Sequence, residues 1–207
     1  MKNLKLIFLV LGCMAALSLT SCLSSDDDND NKGLTPTQIS QCFAAMRGTY
    51  SGILVYPSHS ALYGTDTIDV SWSVGADTML VLKPFPSRIV AEQINNPDLK
   101  NALMEQEYTS ELSCYLGFYA IDSNVQFLVG PKSIDIPVLY KDERHTLSVY
   151  FWGNNYSYGF KDISTGAMGV QIVLAAAYLD NNQSINYINS SSIARSEERR
   201  VGKECRS

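Results

Sequence analysis

The chain has 207 residues, 45% hydrophobic and 18% charged, with a formal net charge of −5. That balance suits one globular domain and excludes disordered or collagen-like chains. The acidic excess argues against nucleic acid as a partner, because phosphate binding needs clustered Lys and Arg.

Residues 1–21 read as an export signal. Lys2 and Lys5 flank the start of the apolar run Leu6–Leu17, and small residues lead through Leu19-Thr20-Ser21 to Cys22. The run is too short to remain as a membrane span. It resembles the lipobox of bacterial lipoproteins, which implies cleavage before Cys22 and a lipid on its thiol. Residues 22–33 follow as an acidic tether containing Asp26, Asp27, Asp28 and Asp30. So little apolar surface keeps such a segment extended and solvated. The tether resembles the Ser-(Asp/Glu) export signals of Bacteroidota-type lipoproteins, and Leu23 after the cysteine does not resemble an inner-membrane retention signal. The expected location is therefore the outer membrane, facing outward, with the membrane as a partner through the lipid.

At the other end, residues 195–207 pack eight charges into thirteen positions. Physically this is a solvated charged tail. It also resembles, residue for residue, the translated read-through of a sequencing adapter. The expectation is a single β-rich domain over 34–194, cut short at about Ala194, with a non-native tail. Residues 34–194 carry eight basic against fourteen acidic residues. Cys13 leaves with the signal and Cys205 lies in the tail, so Cys42 and Cys114 remain. An exported protein can pair them as a disulfide; both also sit on apolar faces, where an unpaired Cys acts as a small hydrophobe.

Along the body, Thr35-Pro36-Thr37-Gln38 predicts a capped helix start, and Ile39, Cys42, Phe43 and Met46 recur at helical spacing up to Gly48. Strands are predicted over Thr49–Tyr56 and over the alternating Ile68–Val74. Gly75-Ala76 is expected to turn the chain, with Gly75 at positive φ, into Thr78–Leu82, which Pro84 and Pro86 end. Asn96-Pro97 opens a second helix. Further strands are read at Leu112–Ala120, Val125–Val129, Ile134–Tyr140, Thr146–Trp152, Tyr156–Phe160 and Val170–Leu179, separated by turn residues. About nine strands with two or three short helices predict a mainly β, antiparallel sandwich or barrel. The lipobox, the acidic tether, the Leu34–Gln38 helix start and the Gly48-Thr49-Tyr50-Ser51-Gly52 strand entry resemble small uncharacterised lipoproteins of gut Bacteroidota, which carry a domain of unknown function. That resemblance implies an envelope location and no activity.

Motifs for chemistry are sparse. His59 in Ser58-His59-Ser60 and His145 in Lys141–His145 read as exposed loop histidines. Ser58 or Ser60 with His59 and Asp66 would make a Ser-His-Asp set, but no Gly-x-Ser-x-Gly elbow accompanies it. No metal-ligand spacing occurs, and no cofactor is expected. Asp26–Asp30 would bind calcium only against the ordering cost of a tether. Glu105, Glu107 and Glu111 gather near a helix end without a hydrolase signature.

The most suggestive stretch is Tyr150–Phe160. Read as a hairpin with a three-residue loop at Gly153–Asn155, it puts Tyr150, Trp152, Tyr156 and Tyr158 on one face, a platform suited to sugar rings. With a two-residue loop at Asn154-Asn155, the same residues divide between core and surface. The expected function is a non-catalytic binding or interaction module for a glycan or an envelope protein. A hydrolase with a loop site near His59 and a purely structural component are the alternatives.

Overall fold

The computed structural model describes residues 33–59, 61–188 and 193–198. The signal, Cys22, the tether through Lys32, Ser60 and Cys205 lie outside the described residues. Helix α1 (Pro36–Met46) begins as its sequence predicts. Gln38 N donates to Thr35 Oγ1 at 3.3 Å, and Thr35 N donates to Gln38 Oε1 at 2.9 Å, closing a capping box. Its apolar stripe buries Cys42 and Met46, and Phe43 meets Phe118 edge-on at 4.6 Å. Two further helices, α2 (Ser87–Ala91) and α3 (Pro97–Glu105), follow one another between strands, α3 being capped by Asn96.

The strands are β1 (Gly48–Pro57), β2 (Thr65–Val74), β3 (Met79–Pro86), β4 (Thr109–Ile121) and β5 (Asn124–Pro131). After them come β6 (Ile134–Tyr140), β7 (Glu143–Trp152), β8 (Tyr158–Asp162), β9 (Met168–Leu179) and β10 (Ile193–Glu198). Every pairing is antiparallel. Strands β1 to β5 form a meander, and the order continues β5-β8-β9-β7-β6. The strands β1–β9 make one open antiparallel sheet with few helices; the body is mainly β. β10 lies between β1 and β9, paired with both. Four of its residues, Arg195–Glu198, come from the segment whose sequence resembles adapter read-through.

Local details depart from the sequence reading at two turns and within one strand. Between β2 and β3 the left-handed residue is Thr78, at φ 61°, rather than Gly75; Asp77 Oδ1 accepts from Met79 N at 3.3 Å and holds the turn. β3 runs past Pro84 and ends at Pro86. The register shifts between Leu82 and Phe85, so Pro84 falls in an irregularity where no ladder N–H is required. The β6–β7 hairpin turns on Lys141 and Asp142 alone, both at positive φ (54° and 64°), the geometry of a two-residue primed turn. His145 therefore sits in β7, opposite Val138, and not in a loop.

The larger correction concerns β7 and β8, which form no hairpin. β7 pairs with Val173–Leu179 and β8 with Met168–Gln171, both antiparallel to β9. They are successive lengths of one track, broken by a short 3-10 turn at Asn154–Tyr156. β5 and β6 make a matching broken track, because β5 pairs with β8 and β6 with β7. Ser157, fully buried, heals the break. Its hydroxyl donates to the Trp152 carbonyl and accepts from Val173 N at 3.1 Å, while its carbonyl accepts from Val129 N at 2.8 Å.

One core holds the sheet and helices together, including Leu54, Trp72, Leu82, Leu112, Phe127, Val149 and Leu174 with Met46, Ile89 and Leu103. Trp72 Nε1 donates to Met168 Sδ at 3.2 Å, so the indole is satisfied inside the core. Gly159 faces the Phe127 ring so closely that a Cβ there would stand 2.4 Å from its Cζ. Among the described residues β6 has no neighbour in the sheet beyond β7, and Pro137 at its centre lacks the N–H that would recruit another strand.

Candidate functional site

Period-two alternation turns one set of aromatic side chains outward along the break. On β8, Gly159 is buried while Tyr158 and Phe160 are 42% and 49% exposed. Trp152 ends β7 at 48% exposure and meets the Tyr156 ring at 5.5 Å, tilted by 39°. Gln171 Nε2 donates to the Tyr156 carbonyl at 3.1 Å and fixes that turn from β9. Tyr150 is half-buried against Tyr178, ring centroids 5.7 Å apart. Of the four residues expected on one face, Trp152, Tyr156 and Tyr158 are open to solvent and Tyr150 is largely spent on packing. The reason they share an aspect is not cross-strand facing in a hairpin. It is their place along one continuing track.

The surface extends beyond those four. In register, Gly117 of β4 opposes Leu128 of β5, which opposes Tyr158 of β8, which opposes Gln171 of β9. Directly opposed residues share a face. Tyr115 and Tyr119, two positions either side of Gly117, are exposed on that same face. Lys132 Nζ stands 4.9 Å above the Tyr115 ring. The outer side of β4, β5 and β8 thus carries Tyr115, Tyr119, Tyr158 and Phe160, with Trp152 and Tyr156 beside them. Alternation along Leu112–Ala120 contained the signal for Tyr115 and Tyr119; what the sequence lacked was the register joining β4 to β8.

The set imagined around His59 is not assembled among the described residues. His59 is exposed, and it reaches Glu92 Oε2 through its backbone N–H at 3.3 Å. Ser58 donates to Glu92 Oε1 at 3.1 Å, not to a histidine. Asp66 accepts from Tyr56 Oη at 3.0 Å and from Arg88 Nη2 at 2.8 Å. Lys100 Nζ pairs with Glu92 Oε2 at 2.8 Å, and Glu92 is only 4% exposed. Burial pushes the Glu92 carboxyl up, but the bonds from Lys100, Ser58 and His59 N outweigh it and hold it below its ordinary value. Tyr56, Arg88, Glu92 and Lys100 had no sequence motif to mark them.

His145 corrects a second expectation, since its side chain is mostly buried and Nδ1 lies 2.6 Å from Asp180 Oδ2. That bond, with Thr146 N at 2.9 Å, holds the Asp180 carboxyl low. Glu105 ends α3, Glu107 occupies the following turn at φ 47°, and Glu111 pairs with Lys83 at 2.5 Å. Cys42 and Cys114 are buried free thiols, so the disulfide considered for them is not formed in this structure. Among the described residues no group of three His, Cys, Asp or Glu side chains is placed to hold a metal, and no helix is long and apolar enough to cross a membrane.

A family model described as a domain of unknown function, DUF4840, matches residues 45–179. The chain belongs to this family, and the match takes in β1 through β9. No curated protein and no solved structure matches the chain.

Proposed function

We propose that the protein is a non-catalytic binding module, held on the outer membrane through a lipid on Cys22 and facing outward, whose aromatic face contacts a glycan. The single observation supporting the contact is the exposed Trp152–Tyr156 pair continued by Tyr158 and Phe160. Aromatic rings and sugar C–H faces are complementary, and the exposed Gln126 on the neighbouring strand has an amide suited to sugar hydroxyls. In this reading residues 1–21 are the signal, 22–33 the tether and 195–207 a non-native tail. A long read of the parent gene tests the last point: coding sequence that departs after about codon 194 supports it, and a gene encoding Arg195–Ser207 followed by a stop overturns it.

The chain has two tryptophans, and Trp72 is buried at 1% exposure, so fluorescence from an exposed indole reports on Trp152. Titration of the full chain with a panel of soluble α- and β-linked oligosaccharides should shift that emission saturably for at least one linkage. Trp152→Ala should weaken binding about two- to tenfold, the worth of one lost aromatic stack. No saturable response across the panel would discard the glycan reading and leave an envelope protein or a structural role.

A further inference from the structure

A second feature lies away from the aromatic face. Ser58, Asp66, Arg88, Glu92, Lys100 and Asn101 line one cavity of about 480 Å³ at the ends of β1 and β2, roofed by α2 and α3. Two cations and two carboxylates meet there, but their hydrogen-bonding capacity is used unequally. Asp66 Oδ1 accepts from Thr67 N at 2.8 Å, and its Oδ2 accepts from Tyr56 and Arg88. Glu92 accepts from Ser58 on one oxygen and from His59 N and Lys100 on the other. The acceptors are therefore filled from within the protein.

The donors are not. Arg88 spends Nε and Nη2 on Tyr56 and Asp66, and its Nη1 donates to none of the described residues. Among the described residues Lys100 Nζ gives one hydrogen bond, to Glu92, out of three N–H groups. The Asn101 side chain adds an amide to the same wall. Both cations are held in place by their carboxylates, so little side-chain freedom remains to be lost on binding. Beside the half-exposed Arg88–Asp66 pair the wall of the cavity is buried, through Glu92 and Ser58. We infer that this cavity binds a small solute through an oxyanion, a carboxylate or phosphate group, received by Arg88, Lys100 and Asn101.

The test is calorimetric titration of the full chain at low ionic strength with inorganic phosphate and, separately, with succinate. Saturable binding of either is expected, and which of the two binds separates a phosphoryl from a carboxyl ligand. Arg88→Gln should weaken it about tenfold, as expected for a lost charge-assisted bond. Asn101→Ala touches neither ion pair and should weaken it by a smaller factor, keeping the proposal testable if the Arg88 variant folds poorly. Trp152→Ala should leave it unchanged, which separates this site from the aromatic face. No saturation with either probe up to about 10 mM, the weak limit of a specific small-ligand site, overturns the proposal. So does an affinity unaltered by both cavity substitutions.

Discussion

Ser157 shows how one side chain replaces several ladder bonds. At the end of the β7 track, where Trp152 opposes Val173, the Trp152 carbonyl and the Val173 N–H both bond the buried Ser157 hydroxyl. Ser157→Ala strands both groups in the core. Each buried polar group left unmade costs about 1–3 kcal/mol, so the variant should lose a few kcal/mol in urea unfolding. Glu92 gives a pH-dependent counterpart. Its folded carboxyl is held below the ordinary value of 4.5, so its contribution is complete above that pH and fades as pH falls through the depressed value. Glu92→Gln should therefore cost on the order of 1–3 kcal/mol at neutral pH, with the gap to the parent closing well below pH 4.5. A gap that stays constant with pH would mean that burial, and not the carboxylate's bonds, sets its worth.

At the scale of elements, what was legible followed chemistry that acts over a few residues. Thr35 and Gln38 announce α1, and alternation from Ile68 to Val74 announces β2. The stretch after Trp152 was misread because Gly153-Asn154-Asn155 has the composition of a reversing turn. Such residues supply backbone freedom, and freedom serves a break in a straight track as well as a reversal. Only β9, lying beyond β8 in the chain, decides between them by pairing with both halves. The same limit hid Tyr115 and Tyr119 from the aromatic set, and kept Arg88, Glu92 and Lys100 apart until α2 and α3 folded over the end of β1. His145 was misjudged for a related reason: its partner Asp180 lies beyond β9. The sequence leaves thiol chemistry open; in the fold both thiols are buried, and burial pushes Cys114 up to about 12. Neither Cys42 nor Cys114 should take up iodoacetamide at neutral pH until the chain is unfolded, as peptide mapping by mass would show.

For the whole molecule, β10 is shared between β1 and β9, and the residues through which it meets β1, Arg195–Glu198, lie in the segment read above as a non-native tail. Removing residues 193–207 should expose the β1 and β9 edges together. Backbone amides at 52–55 and 169–173 should then exchange hydrogen faster while those of β4 and β5 keep their protection. Equal loss everywhere would mean that β10 supports the entire core instead of one seam.

That seam also has a history in time. Among the described strands β1 comes first in the chain, and the partner on its side away from β2 is Arg195–Glu198 of β10, so the β1 edge stays unsatisfied until those residues are in place. Bare strand edges recruit other strands. A nascent copy therefore carries, for most of its synthesis, a place where a neighbour's strand fits as well as its own. Whatever covers that edge while the chain folds, more than the finished fold's stability, would set how much protein ends intact.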